Sequence, residues 1–118
     1  MSTARSEGEP AFDSADALGV LGRKYSIDIL SAAESARSAQ ELSEQVDVPI
    51  ATCYRRIEEL VDAGLLKSEG RQMSRKGRRT TVYRRTVDEL SVDFTAEDLD
   101  VDATPRSEAK TRLQDQMD

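Results

Sequence analysis

The chain has 118 residues, with no histidine, no tryptophan and one cysteine. Without histidine, Cys53 alone can build neither a Cys/His zinc site nor a histidine-based catalytic arrangement. A single thiol makes no internal disulfide, which fits a reducing cytosol. No run of 18 apolar residues occurs, so no membrane-spanning helix is expected. Met1 to Pro10 holds no apolar stretch of the kind that directs secretion, so a cytoplasmic location is expected. The length suits one domain.

Charge is what the chain has in quantity. Charged residues make up 34%, the formal net charge is -6 and the pI is near 4.8. That total argues against a nucleic-acid partner, but its distribution reverses the argument. Residues 1–17 carry -3 and residues 93–118 carry -5, while residues 18–92 carry +2. Within the middle, residues 67–85 hold eight basic side chains against Glu69 alone, for +7. A basic stretch flanked by acidic ends suggests a nucleic-acid contact, although charge runs also serve simply as solvated faces. Arginine outnumbers lysine 13 to 4, and aromatics are 4%. Acidic, lysine-poor composition resembles proteins of salt-accumulating archaea; a GC-rich genome also favours arginine.

Residues 1–13 are polar and read as a disordered lead-in. Ser14 to Leu21 suits a short helix closed by Gly22. Lys24 to Ser35 reads as a second helix with apolar residues on two sides, Ile27 with Leu30 and Tyr25 with Ile29 and Ala32, as in a helix covered from both. Ser38-Ala39-Gln40-Glu41 matches a capping box, so a third helix starts at Ser38 and presents Ala39, Leu42 and Val46 on one face. Val48 before Pro49 ends it. Pro49 to Ala63 is the clearest helix: Ile50, Cys53, Ile57, Leu60 and Val61 form one apolar stripe, and Gly64 follows as the closing residue. Its polar face is ordered against the helix dipole. Thr52, Arg55 and Arg56 come first; Glu58, Glu59 and Asp62 come last. A purely structural helix gains from the reverse order, so the early turns are built to meet something negative.

Leu65–Arg71 and Thr80–Val87 read as a hairpin whose loop, Gln72 to Arg79, is basic, with Gly77 near its tip. Leu90, Val92 and Phe94 alternate as in a further strand (90–94), pairing with 99–101 across a turn at Thr95–Asp98. Thr104-Pro105 suits the cap of a last helix over 105–117 bearing Ala109, Leu113 and Met117, with a mobile acidic tail as the alternative. The expected organisation is a lead-in (1–13), a domain (14–87) and an acidic extension (88–118).

Two short helices around a tight turn, followed by a basic hairpin, give an α+β winged helix-turn-helix. The runs Ser38–Ser43, Val48–Ile57 and Leu60–Leu66, with Thr-x-Tyr-Arg-Arg-Ile-x-x-Leu-x-x-x-Gly-Leu-Leu at their heart, resemble the helix-turn-helix of ArsR-type transcriptional regulators, most of all their small archaeal members. The resemblance spans roughly residues 18–87. It implies a homodimeric regulator that binds double-stranded DNA, with the 49–63 helix in the major groove and the 71–80 wing on the backbone or in the minor groove. By position it makes Ala51, Thr52, Tyr54, Arg55 and Arg56 the contacts from the helix, and Arg71, Arg75, Lys76, Arg78 and Arg79 those from the wing. Arginine reaches guanine with two hydrogen bonds, and threonine meets phosphate or a thymine methyl. Arg55 and Arg56 can equally pair with Glu58 or Glu59 on a solvated face.

The chain departs from metal-sensing members, which need clustered cysteine or histidine; no metal or cofactor is implied. Cys53 lies on the apolar stripe as a small core residue, or, on a sharper reading, as a redox switch. Carboxylates are scattered along exposed faces and ends, so no enzyme is expected. The alternative is a winged-helix module that binds protein rather than DNA. Leu18 and Leu21, or Leu90, Val92, Phe94, Leu99 and Val101, are candidates for a dimer contact.

Overall fold

The computed structural model describes residues 14–73, 77–95, 97 and 100–106. The expected lead-in at 1–13 and residues 107–118 of the expected last helix lie outside the described residues. Among the described residues four helices and five strands follow one another: α1 (Ser14–Leu21), α2 (Ser26–Ala32), β1 (Arg37–Ser38), α3 (Ala39–Val46), α4 (Ile50–Asp62), β2 (Leu66–Met73), β3 (Arg79–Arg85), β4 (Val87–Asp93) and β5 (Asp100–Pro105). One antiparallel sheet has the order β1-β3-β2, and β4 pairs with β5 in a second. This is an α+β winged helix-turn-helix.

The helices close on Ile29, Leu42, Ile57 and Leu60, with Leu65 and Leu66 entering from the start of the hairpin; all six are almost fully buried. Helix α2 is shorter than the expected Lys24–Ser35. Tyr25 takes a left-handed backbone (φ 77°), which a helix cannot pass through, and Ala33 closes the other end on the Leu30 carbonyl. Nor is α2 covered on both sides. Ile29 and Leu30 are buried, but Ile27 is 60% exposed. Ile27 lies about 160° around the helix from Ile29, and the core reaches only one side of so short an element.

The capping box forms in full. The Ser38 hydroxyl accepts from the Glu41 amide (3.1 Å), and the Glu41 carboxylate accepts from the Ser38 amide (2.9 Å). Ser38 also pairs with Val82, and Arg37 with Tyr83, in a two-residue strand that sequence patterning did not reveal. Two residues are too few to show an alternation.

The turn between α3 and α4 is held by Ser43. Asp47 adopts the left-handed conformation (φ 61°), and the Asp47 and Val48 amides both return to the Ser43 carbonyl. The buried Ser43 hydroxyl donates to the Val48 carbonyl at 2.6 Å. Pro49 follows as the N-cap of α4 rather than its first residue, and Gly64, at φ 85°, closes the far end.

Both wing strands run further toward the tip than expected, but β3 stops at Arg85 rather than Val87, which opens β4. β2 continues to Met73 and β3 starts at Arg79, so the loop is shorter than Gln72–Arg79. The ladder shifts register between Ser68 and Arg71, where Gly70 has φ 92°, and Gly77 has φ 79°. Both glycines occupy backbone that side chains disfavour. The late strands pair as expected, Val92 opposite Val101, but β4 starts three residues earlier than 90–94 and stops before Phe94, and β5 runs from Asp100 to Pro105; Leu99 lies outside the described residues. Thr104 and Pro105 belong to β5 and cap no helix; Pro105 sits at the strand's last position, where its missing N–H costs no interior bond. The Arg106 amide then bonds the Thr86 carbonyl, and its guanidinium bonds the Glu34 carbonyl, fastening the second sheet to the end of α2.

Replacing Ser43 with alanine leaves the Val48 carbonyl buried without its side-chain donor. Urea unfolding of Ser43→Ala is expected to show a loss of about 1–3 kcal/mol; a change below 0.5 kcal/mol (roughly the range of neutral surface substitutions) would contradict this account of the turn.

Candidate nucleic-acid interface

Helix α4 buries Cys53, Ile57 and Leu60, and this stripe decides where every other side chain points. Ala51 and Arg55 project opposite it, with Thr52 half-buried beside them. Arg55 is exposed, and among the described residues nothing bonds or ion-pairs with it. Tyr54, 54% exposed, and Glu58 lie on the flank nearest the wing. Burial, then the neighbouring Tyr54 and Glu58, push the Tyr83 hydroxyl above its usual pKa, which sets Tyr83 of β3 beside that flank. The first turn of α4 has no acid and the last no base, so the charge order read from sequence persists on the folded face.

Arg56 behaves differently from Arg55. Only 13% of its side chain is exposed. Its Nε donates to the Lys24 carbonyl at 2.9 Å, and its Nη1 reaches Glu59 at 3.2 Å. The same carboxylate lies 4.0 Å from Arg23. The i,i+3 pairing foreseen for this residue therefore forms, and Arg56 ties α4 to the turn before α2.

In the wing, Lys67, Arg84 and Arg85 are engaged with protein groups. Lys67 and Arg84 share Glu69 at 3.6 and 3.5 Å. Arg85 donates to the Leu30 carbonyl at 3.3 Å and pairs with Asp88 at 3.5 Å. Arg71, Arg78 and Arg79 are exposed; Arg75 and Lys76 lie outside the described residues. Arg79, Thr81 and Tyr83 alternate onto one face of β3, and Arg71 stands opposite Thr81. Arg71 and Arg79 thus share a wing face with Tyr83, whose hydroxyl feels Tyr54 and Glu58 of α4. Sequence patterning missed Tyr83 on this face; its alternation with Arg79 and Arg85 was the available signal.

Cys53 is fully buried, its Sγ 3.5 Å from the Ala39 carbonyl, and burial pushes its thiol pKa up. A reactive thiol needs exposure and a stabilised thiolate; Cys53 has neither. Among the described residues no three His, Cys, Asp or Glu gather as a metal site requires.

Residues 21–69 match a family model described as a helix-turn-helix domain. The matched span runs from the end of α1 into β2 and so contains α3, the Ser43 turn and α4. No curated protein matches the chain. The likeness points in general terms to a DNA-binding regulator. Among the described residues no helix is long and apolar enough to cross a membrane.

Native Cys53 is expected to react with a thiol reagent about 100-fold or more slowly than in the unfolded chain, because reaction waits on local opening. Equal rates would restore the redox reading.

Proposed function

We propose that the protein is a sequence-specific double-stranded-DNA-binding transcriptional regulator of the small archaeal ArsR-like kind, homodimeric and cytoplasmic, with no catalytic step and no cofactor. Helix α4 enters the major groove, and the wing lies on the backbone or in the minor groove. The observation that carries this reading is the solvent-facing half-helix of Ala51, Thr52 and Arg55, with Arg71 and Arg79 on the adjoining face of the wing. Arg55 is the base reader: it is exposed, it has no protein partner among the described residues, and a guanidinium fits guanine O6 and N7. Arg71, Arg75, Lys76, Arg78 and Arg79 grip phosphate, and Tyr54 stands at the groove edge. Arg56 holds the helix in place.

The acidic, lysine-poor composition fits a salt-rich cytosol, where phosphate contacts are weakened. Base contacts from Thr52 and Arg55 then supply most of the affinity. The second copy covers Leu90 and Val92 of β4 and Phe94 just beyond its end. Leu90 is half-buried against the core, whereas Phe94 is 81% exposed, so the stripe runs off the body and ends uncovered.

Selection of binding sequences from a random duplex pool tests the reading, and recovery of no preferred sequence refutes it. On the selected site, Arg55→Ala is expected to cost about 1–3 kcal/mol and relax the choice at one position. Arg79→Ala should weaken all sequences alike and lower the salt slope by about 0.9. In light scattering, Phe94→Ser is expected to shift the protein from dimer to monomer; a monomeric wild type would remove the homodimer from the proposal.

A further inference from the structure

The turn between α1 and α2 carries Arg23 and Lys24, both exposed, and it abuts the recognition helix on the flank away from the wing. On α4, Tyr54 and Arg56 lie about 100° to either side of Arg55. Tyr54 marks the wing flank, where Tyr83 stands, and Arg56 marks the flank of the turn. A helix is nearly as wide as the major groove, so whatever borders it on either side meets one of the two phosphate strands that line the groove.

The turn is fixed in place. The Arg23 amide bonds the Val20 carbonyl, the Ser26 amide bonds the Arg23 carbonyl, and Arg56 holds the Lys24 carbonyl. Tyr25 is left-handed, an unfavourable backbone for a bulky residue, while its ring packs partly on the core under the Lys24 ammonium, 5.1 Å away. Arg56 is paired with Glu59, which leaves the exposed Arg23 and Lys24 as the turn's own charges beside α4. Neither the helix-turn-helix pattern nor the wing accounts for this cluster.

We infer that the Arg23–Lys24 turn is a second phosphate-binding element, which grips the DNA strand across the major groove from the wing while Arg56 positions it. The inference rests on the reading of α4 as the groove helix. It makes the interface two-sided: the wing and the turn each neutralise one backbone, and Arg55 reads the bases between them.

The test is anisotropy titration of a labelled 30-base-pair duplex of random sequence (a length of about three helical turns) in 0.05–0.2 M KCl. Arg23→Gln/Lys24→Gln is expected to lower the salt slope by about 1.8, so that the fall in affinity across this range shrinks about tenfold. Lys24→Gln alone, which breaks no ion pair, should lower the slope by about 0.9, and Lys24→Arg should leave it at the wild-type value. An unchanged slope in both glutamine variants, with the wild type binding, overturns the inference and leaves the function standing. A wild type that binds no duplex overturns both.

Discussion

The hydrogen bond from the Ser43 hydroxyl to the Val48 carbonyl governs the geometry on which the rest depends. The chain must leave α3 and enter α4 within three residues, and Ser43 and Val48 at that corner are buried. A serine at position 43 offers its carbonyl to two amides and its hydroxyl to the Val48 carbonyl. Asp47 tolerates the left-handed step because aspartate is among the few side chains that do. Pro49 then fixes the direction in which α4 sets out. With this corner satisfied, Cys53, Ile57 and Leu60 fall on the core, and Thr52 and Arg55 are left facing outward.

The same helix has different neighbours on its two flanks. On the wing side Tyr83 is half-buried at the root of the wing, near enough for Tyr54 and Glu58 to act on its hydroxyl. Arg56 meets the preceding turn through a charged side chain and a backbone carbonyl. In a partly buried ion pair such as Arg56–Glu59, desolvation offsets much of the attraction. The pair's consequence is steric and electrostatic: one carboxylate restrains two guanidiniums, so the turn stays close to α4 without losing its net positive charge. Two adjacent arginines on one helix thus divide the labour, one reaching outward and one holding the frame.

The parts of this arrangement that were legible in the sequence are those written in short-range chemistry. The capping box at Ser38–Glu41, the Cys53, Ile57 and Leu60 part of the α4 stripe, Gly64 after it and the hairpin all follow from residues within a few positions of one another, and the structure contains each; Ile50 and Val61, expected in the same stripe, are instead exposed at its edge. What was hidden depends on contacts distant in sequence. Strand β1 exists because β3 lies alongside it. Arg56 differs from Arg55 because Lys24, 32 residues earlier, supplies a carbonyl. The end of α2 at Tyr25 and the exposure of Ile27 reflect which side of a short helix the core reaches, a choice no local period encodes. Thr104-Pro105 carries a helix-start signal that pairing with β4 overrides.

The chain's acidity acquires a physical role once its location is known. Strand β3 runs from the wing tip toward the core, and β4 leaves from its core end, so the second sheet grows away from the wing tip. Glu89 and Asp102 are exposed on that sheet, and Asp93 stands directly opposite Asp100. Like charges in such register weaken pairing. The Thr95 hydroxyl and amide, both bonding Asp93, hold its carboxyl below the usual range, so it keeps its charge despite its neighbour. Selection for a stable hairpin alone would remove this repulsion. A phosphate backbone approaching that sheet meets the opposing field, while one approaching α4 meets Arg55 flanked by the turn and the wing. At ordinary ionic strength such fields act within about 10 Å. They therefore orient the final docking rather than the distant encounter, and in concentrated salt only the contacts themselves remain to do so.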